Sequence, residues 1–476
     1  MKTRTNDPAS NERINVINSV RGESNVKKSV LCTAVLASLA GVAFSSSALA
    51  ADDGSLTWNG ITLYGVVDIG VAYQTHGAPL SQDWAEGIQY LLAKSSNKSI
   101  TTVAPSGLSQ SRIGVRGKEN VTEGVDFVFN AEMGFNPTSG KLSDGPKSLL
   151  HNNGVALSEQ TSAADSSRAG QFFNGQAYGG FASPTWGTLT IGRHNTILLD
   201  DIGKYDPMNG SYAFSVLGAS GTTAGGGDTE DARWDDSVKY AWKYDWFHLG
   251  AMYGFGKTDT RPGEAWQGDV GGDFGPFSVD GVYAKTKDAV ALASLSAAQI
   301  AGSSTTPALP NDSRAATISD NESWTLDASY SFDPFKIYGG FEHIDFKNPS
   351  LPLAVGTFTG QGGYFVSVVN NAAFPHTKQL DVSWGGLKWL VSKDFDITGA
   401  VYHYDQNAYG ATKCSNTSEG NCSGSEWAYS VRFDYRWTKR FDTYAGAMYS
   451  KVENGLANGY LKTNTVDPMI GFRFQF

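Results

Sequence analysis

The chain has 476 residues, 55 of them glycine, with 12% Phe, Trp and Tyr, 18% charged residues and a formal net charge of −10. An acidic balance leaves no basic surplus with which to hold a nucleic-acid backbone. Abundant glycine and aromatic residues without a sustained helical period describe one large all-β unit.

Residues 1–50 read as a secretory signal peptide. Lys2, Arg4, Arg13, Arg21, Lys27 and Lys28 form a long basic head, Val30 to Phe44 is mildly apolar, and Ala48-Leu49-Ala50 offers the small residues of a cleavage site near Ala50/Ala51. The apolar run is too short for an anchor helix, which needs roughly 20 residues. This segment takes away six Lys/Arg and three Asp/Glu, so residues 51–476 carry 31 basic against 44 acidic side chains, a net charge of −13. Cys32 leaves with it. Cys414 and Cys422, flanking the polar run CSNTSEGNC in an exported chain, are read as a short disulfide. No linker divides Leu56 to Phe476, and no stretch after residue 50 is apolar enough for a membrane helix. If the chain spans a membrane, it does so as a closed barrel.

Alternating segments follow in pairs. ITLYGVVDIGVAY (from Ile61) comes first; SRIGVRGK (from Ser111) and VDFVFNAEMGF are joined by a turn at Asn120 to Gly124; Arg168 to Phe181 turns at SPTWG into TLTIGRH. RWDDSVKYAWKY (from Arg233) pairs with FHLGAMYGFG, a strand before Gly275-Pro276 with FSVDGVYAK, and WTLDASYSF with KIYGGFEHIDF. QLDVSWGGLKWL pairs with FDITGAVYHY, AYSVRFDYRW with FDTYAGAMYS, and VDPMIGFRFQF ends the chain. The count is about sixteen, an even number as bacterial single-chain barrels require. In AYSVRFDYRW, Tyr429, Val431, Phe433 and Tyr435 share one face while Ser430, Arg432, Asp434 and Arg436 share the other. A sandwich would give the same alternation. The connections decide between them: tight turns alternate with loops of roughly ten to forty residues, as when short periplasmic turns oppose long outer loops, whereas loops of that length argue against a compact soluble domain. The expected fold is a sixteen-stranded antiparallel transmembrane β-barrel with its apolar rows in lipid and its polar rows around a wet bore.

The chain resembles the general diffusion porins of Gram-negative outer membranes, of the trimeric Burkholderia and Neisseria type. The resemblance is carried by SLTWNGITLYGVVDIGVAY, SRIGVRGKEN, YGGFASPTWGTLTIGRH, DDSVKYAWKY and the terminal IGFRFQF, and it covers Leu56 to Phe476. It implies a water-filled barrel whose third outer loop, here about 195–231, folds inward, and three barrels packed side by side in outer-membrane lipid and lipopolysaccharide. It also implies that Phe474 and Phe476 resemble the signal read by the outer-membrane insertion machinery.

Strand parity assigns the channel wall. Ile113 and Val115 face out, which turns Arg112, Arg116 and Lys118 inward. Phe173, Ala177 and Phe181 face out, which turns Arg168 inward. Trp234, Val238 and Tyr240 face out, which turns Arg233 and Lys239 inward. Arg432, Arg436 and Arg473 follow by the same rule. Arg193 shares parity with Leu189 and Ile191, so it requires a bulge or a place above the membrane. The inward loop carries Asp200, Asp201 and Asp206. Arginines on the wall facing carboxylates across a narrow opening set up a transverse field that sorts solutes by charge, and the resemblance supports Arg112, Arg168 and Arg233 in that role. The wall favours anions and the −13 total favours cations; the expectation taken is anion preference at the eyelet.

Catalytic and metal signals are weak. GFGKT (from Gly254) resembles the end of a phosphate loop, but Ala251 stands at the first glycine position and the segment leaves a strand. His343 with Asp345 and His403 with Asp405 lack a third ligand nearby, and no Gly-x-Ser-x-Gly elbow is present. A barrel-borne hydrolase with a surface Ser/His pair is the remaining enzymatic alternative. The sequence therefore reads as a non-enzymatic channel for small hydrophilic solutes and ions, without cofactor or metal. A substrate-specific channel for organic anions and a barrel-anchored adhesin or receptor are the alternatives.

Overall fold

Alternation over ten residues or more can be satisfied on both faces only by an extended chain, and each alternating segment forms a strand. The structure, a computed structural model, describes residues 56–77, 97–142, 172–217, 232–256, 263–294, 297–302, 314–351, 366–371, 376–410 and 413–476. The expected signal peptide and Arg168 lie outside the described residues. In chain order the staves are β1 (Ile61–Gln74), β2 (Arg112–Thr122), β3 (Val125–Gly134), β4 (Ala177–Ser183), β5 (Gly187–Asn195), β6 (Arg233–Tyr244), β7 (Phe247–Gly254) and β8 (Ala265–Phe274). They continue with β9 (Phe277–Ser294), β10 (Arg314–Phe332), β11 (Phe335–Lys347), β12 (Lys378–Ser392), β13 (Phe395–Gln406), β14 (Gly424–Arg436), β15 (Phe441–Asn454) and β16 (Asn464–Gln475). Each is antiparallel to its neighbour, and β16 returns to β1 with Met469 opposite Ala72 through Gln475 opposite Val66, which closes sixteen strands into a barrel. Past the end of β16, Phe476 and Gly65 exchange both backbone hydrogen bonds at 3.0 Å. Three short strands decorate the cylinder: Thr57–Trp58 and Ile100–Pro105 pair with β1, and Val366–Asn371 runs parallel to the start of β10.

The two rims follow the expected parity. Two-residue turns such as Asp245-Trp246 and Gly275-Pro276 close one end; Asp245 (φ 53°) and Gly275 (φ 65°) supply the left-handed residue that a tight hairpin requires. The faces follow as well. On β14, Tyr429, Val431, Phe433 and Tyr435 are 49%, 38%, 41% and 40% exposed, against 8%, 4% and 5% for Ser430, Arg432 and Asp434. Outward aromatic rings run along the short-turn rim in contact with one another: Trp246 with Phe274 (4.6 Å), Phe332 with Phe335 (5.6 Å), Phe335 with Trp389 (6.2 Å) and Tyr435 with Trp437 (4.7 Å). That is where amphipathic rings sit at a membrane interface. Phe474 lies on the outward face at this rim, and the Phe476 ring covers Gly65, where a Cβ would collide with it. At the opposite rim, the Cys414–Cys422 disulfide (Cα–Cα 5.5 Å) braces the loop between β13 and β14.

Two local departures from the expected pattern have clear causes. β4 begins at Ala177, and just before it Asn174 spends its side chain on the backbone of Gly134, accepting from its N–H (2.6 Å) and donating to its carbonyl (3.1 Å) in place of a ladder pair. On β6 a bulge at Asp235-Asp236, with Asp236 at φ 48°, shifts the register between Gly192 and His194. Above it the faces exchange. Trp234, expected in lipid, is fully buried on the inner side against Ile197, Leu198, Met252 and Val282, and Arg233 takes the other parity. The same bulge settles Arg193, which donates to the carbonyls of Gly175 and Asn174 (2.8 Å each) and pairs with Asp235 (2.6 Å).

Val431→Arg sets a cation in the lipid-facing row of β14 and should destabilise the folded barrel by about 2–4 kcal/mol in reversible unfolding from lipid vesicles. A neutral result would mean that this row does not face lipid.

Candidate functional site

The inner face is not an even tube, because the segment after β5 folds into it. Thr196 caps a helix, α1 (Ile197–Tyr205), by accepting from the Leu199 N–H at 3.2 Å. Ile197, Leu198, Asp201, Ile202 and Tyr205 fall on one buried face, while Asp200 and Gly203 look outward. Asp206 and Pro207 end the helix.

A chain of specific contacts lays the loop along one side of the wall. Tyr205 donates to Asp280 on β9 (2.5 Å), and its carbonyl accepts from Trp384 Nε1 on β12 (3.3 Å). The carboxylate of Asp206 accepts from Tyr402 Oη on β13 (2.6 Å) and from the N–H groups of Met208 (3.1 Å) and Gly210 (2.8 Å). Arg432 on β14 donates to the Met208 carbonyl at 3.1 Å. Ser211 Oγ and the Ala213 N–H both donate to Gly107 (2.8 and 3.0 Å), and Phe214 meets Tyr444 edge to face at 6.1 Å. Glycine makes the room: a Cβ at Gly386 would collide with Pro207, and one at Gly446 would press on the Phe214 ring. Asp68 secures the neighbouring segment by accepting from the N–H groups of Gly107, Leu108 and Ser109 (2.8–3.1 Å) and from Tyr444 Oη (2.7 Å).

The loop therefore occupies the β7–β16 side, and the arc from β1 to β6 remains facing it. On that arc Arg112 forms an ion pair with Glu132 (3.1 Å), Lys118 with Asp126 (2.7 Å) and Lys239 with Asp200 (2.7 Å). Arg116 lies over the Tyr64 ring at 5.3 Å and makes no ion pair with another described residue. Tyr178, stacked on His194 at 4.9 Å, lies within electrostatic reach of both Arg116 on the wall and Asp200 on the loop.

The residues expected at the opening thus divide. Arg112 and Arg116 lie on the inner face of β2, and Asp200 lies on the exposed face of α1 beside Lys239. Arg432 fastens the loop, and Arg436 sits toward the short-turn end, where it shares Asp396 with Lys388. Asp201 and Asp206 are turned away from the opening: Asp201 faces Asp327 on β10 and Asp206 holds the latch just described. Burial raises both loop carboxyls, Asp201 from 3.8 to about 6. Of the histidines, His343 lies on the outer face 2.6 Å from Asp381, and His194 Nδ1 meets Ser237 Oγ at 2.8 Å, whose one proton is shared between the Gly192 and Trp234 carbonyls (2.9 and 3.1 Å). That Ser/His pair stitches the β6 bulge. GFGKT begins at the end of β7 and opens no described helix.

Sequence reasoning missed the inner wall beneath α1, where a cavity of about 500 Å³ is lined by Asp201, Lys204, Lys239, His248, Asp269 and Asp280. Counting parity outward from the Gly275-Pro276 turn would have placed Asp269 and Asp280 there.

A family model described as Gram-negative porin matches residues 33–455. An outer membrane porin protein of Bordetella pertussis is 23% identical over 437 residues, spanning 90% of this chain and 94% of that one. Among solved structures, an anion-selective porin from Comamonas acidovorans superposes with a TM-score of 0.57 at 17% identity, over 87% of this chain and 99% of its own. OmpT of Vibrio cholerae in a trimer form gives 0.52 at 15%, over 87% and 99%.

Asp206→Ala removes the acceptor of one buried hydroxyl and two backbone donors, a loss of about 1.5–3 kcal/mol per charged hydrogen bond. Limited proteolysis should then cut within residues 207–217 while the strand content measured by circular dichroism stays constant; Tyr402→Phe should show a smaller part of the same effect.

Proposed function

The chain belongs to the Gram-negative porin family, and from that membership and the shape of its bore we propose that it sorts solutes by charge where the β1–β6 wall faces Asp200. It is an outer-membrane channel for the diffusion of solutes, not an enzyme. No covalent step is involved. A solute passes down its gradient, and the protein sets only the width and the field of the passage.

The observation that carries the reading is that Arg116 on the β2 wall, over the Tyr64 ring, and Asp200 on the exposed face of α1, paired with Lys239, both lie within electrostatic reach of Tyr178. Fixed charges of opposite sign set in low-dielectric walls around a water-filled gap order water and steer ions by sign. The balance is unequal. Arg112 and Lys239 have carboxylate partners, whereas Arg116 has none among the described residues, so the net field at the wall favours small anions. The Comamonas protein with the same fold is described as anion-selective. Arg168, by its sequence position before β4, belongs to the same wall in this proposal, while Arg432 adds positive potential from the loop side and Arg436, offset by Asp396, does not.

Three barrels pack side by side, as in the trimer form of the Vibrio protein, in contact with lipid and lipopolysaccharide. Residues 1–50 are removed on export, and the insertion machinery reads Phe474 and Phe476.

Purified protein in planar bilayers should give large ohmic steps in triplets. Absence of steps would favour a closed adhesin, and saturation of the current by one solute would favour a specific channel. In a salt gradient, Arg116→Ser should move the reversal potential toward cations, and by more than Arg112→Ser, whose charge Glu132 already offsets. The difference should shrink in 1 M salt, where screening acts over about 3 Å; no movement in either variant would remove both residues from the filter.

A further inference from the structure

Beneath α1 the wall gathers more carboxylates than cations. Asp280 is approached by Lys204 (2.8 Å) and by His248, and Asp273 by Lys204 (3.3 Å) and Lys243 (2.9 Å). Asp269 has no ion pair with another described residue. Asp327 and Asp201 are 1% and 7% exposed and meet in a carboxyl–carboxyl hydrogen bond, with Asp201 lining the same cavity as Asp269 and Asp280. Carboxylates so placed require a compensating cation or proton.

The sheet register builds a defined geometry here. His248 lies opposite Gly271, Gly271 opposite Asp280, and Asp269 opposite Gly250. Both glycines are necessary, because a Cβ on Gly271 would collide with the Asp280 carboxylate and crowd His248 Nε2 (2.6 Å), and one on Gly250 would collide with Asp269. With the wall cleared, one ligand atom each of His248, Asp269 and Asp280 lies within 4.8 Å of the others. A bound metal ion needs that convergence.

We propose that His248, Asp269 and Asp280 bind a divalent transition-metal cation of the zinc class, with solvent completing the coordination. The imidazole determines the class: calcium and magnesium take oxygen ligands, whereas one nitrogen with two or three carboxylates suits zinc. The cavity of about 500 Å³ gives the ion room to enter. On binding, His248 gives up the Nε2 proton it shares with Asp280, to Nδ1 or to solvent, and turns the freed lone pair to the ion, while Lys204 and Tyr205 keep Asp280 Oδ2, so the metal ties the inward loop to β7, β8 and β9. The site is independent of which ions the opening favours.

Zinc chloride titrated calorimetrically into the purified full-length protein in detergent should bind saturably, one ion per chain. Asp269→Asn changes a residue without an ion pair and should weaken binding at least about tenfold; His248→Gln should do the same and carries the test if the first variant misfolds. Calcium at equal concentration should not displace zinc. Non-saturable binding, unchanged affinity in both variants, or displacement by calcium would each overturn the proposal. Metal-free wild-type protein should still conduct in bilayers, so failure here is distinguishable from failure of the channel reading.

Discussion

A peptide N–H or C=O left without a partner in hydrocarbon costs several kcal/mol, so a chain that crosses a membrane in strands has to bring its last strand back to its first. The pairing of Met469–Gln475 with Val66–Ala72 does this, and the two hydrogen bonds between Phe476 and Gly65 extend it to the final residue. Once the cylinder is closed, side-chain parity has only two destinations. Every second residue meets lipid and the others meet the bore, and the outward Tyr429, Val431 and Phe433 against the inward Ser430, Arg432 and Asp434 follow from that division.

Closure alone would leave a wide pipe. The inward loop narrows it, and it stays in place because buried polar groups are costly unless paired. Asp206, fully buried, is tolerable only with Tyr402 and two backbone donors around it; the Met208 carbonyl is met by Arg432. Small residues on the wall complete the fit, since Pro207 and Phe214 sit where Gly386 and Gly446 leave space. The loop and the wall are therefore one packed unit on the β7–β16 side. The opposite arc carries Arg112, Arg116, Lys118 and Lys239, of which Arg112, Lys118 and Lys239 are paired with carboxylates. Beneath the loop, the same glycine device at Gly250 and Gly271 brings carboxylates and an imidazole together.

Amino-acid order by itself determined the sixteen strands, their pairing by short turns, the face of nearly every strand residue and the Cys414–Cys422 link. These are local: period-two alternation, turn residues and loop length are properties of contiguous chain. Among the described residues, parity failed at Trp234 and Arg233, where a bulge intervened, because Asp236 in a left-handed conformation adds a residue that no pattern of apolar positions announces. Tertiary structure alone decided which charged groups share a site. Asp200, Asp201 and Asp206 look equivalent in the sequence, yet one faces the opening and two are turned into the wall, because a nine-residue helix has two sides and only packing chooses between them. The convergence of His248, Asp269 and Asp280 depends likewise on the register of three strands, set by hydrogen bonds across the sheet and not by spacing along the chain.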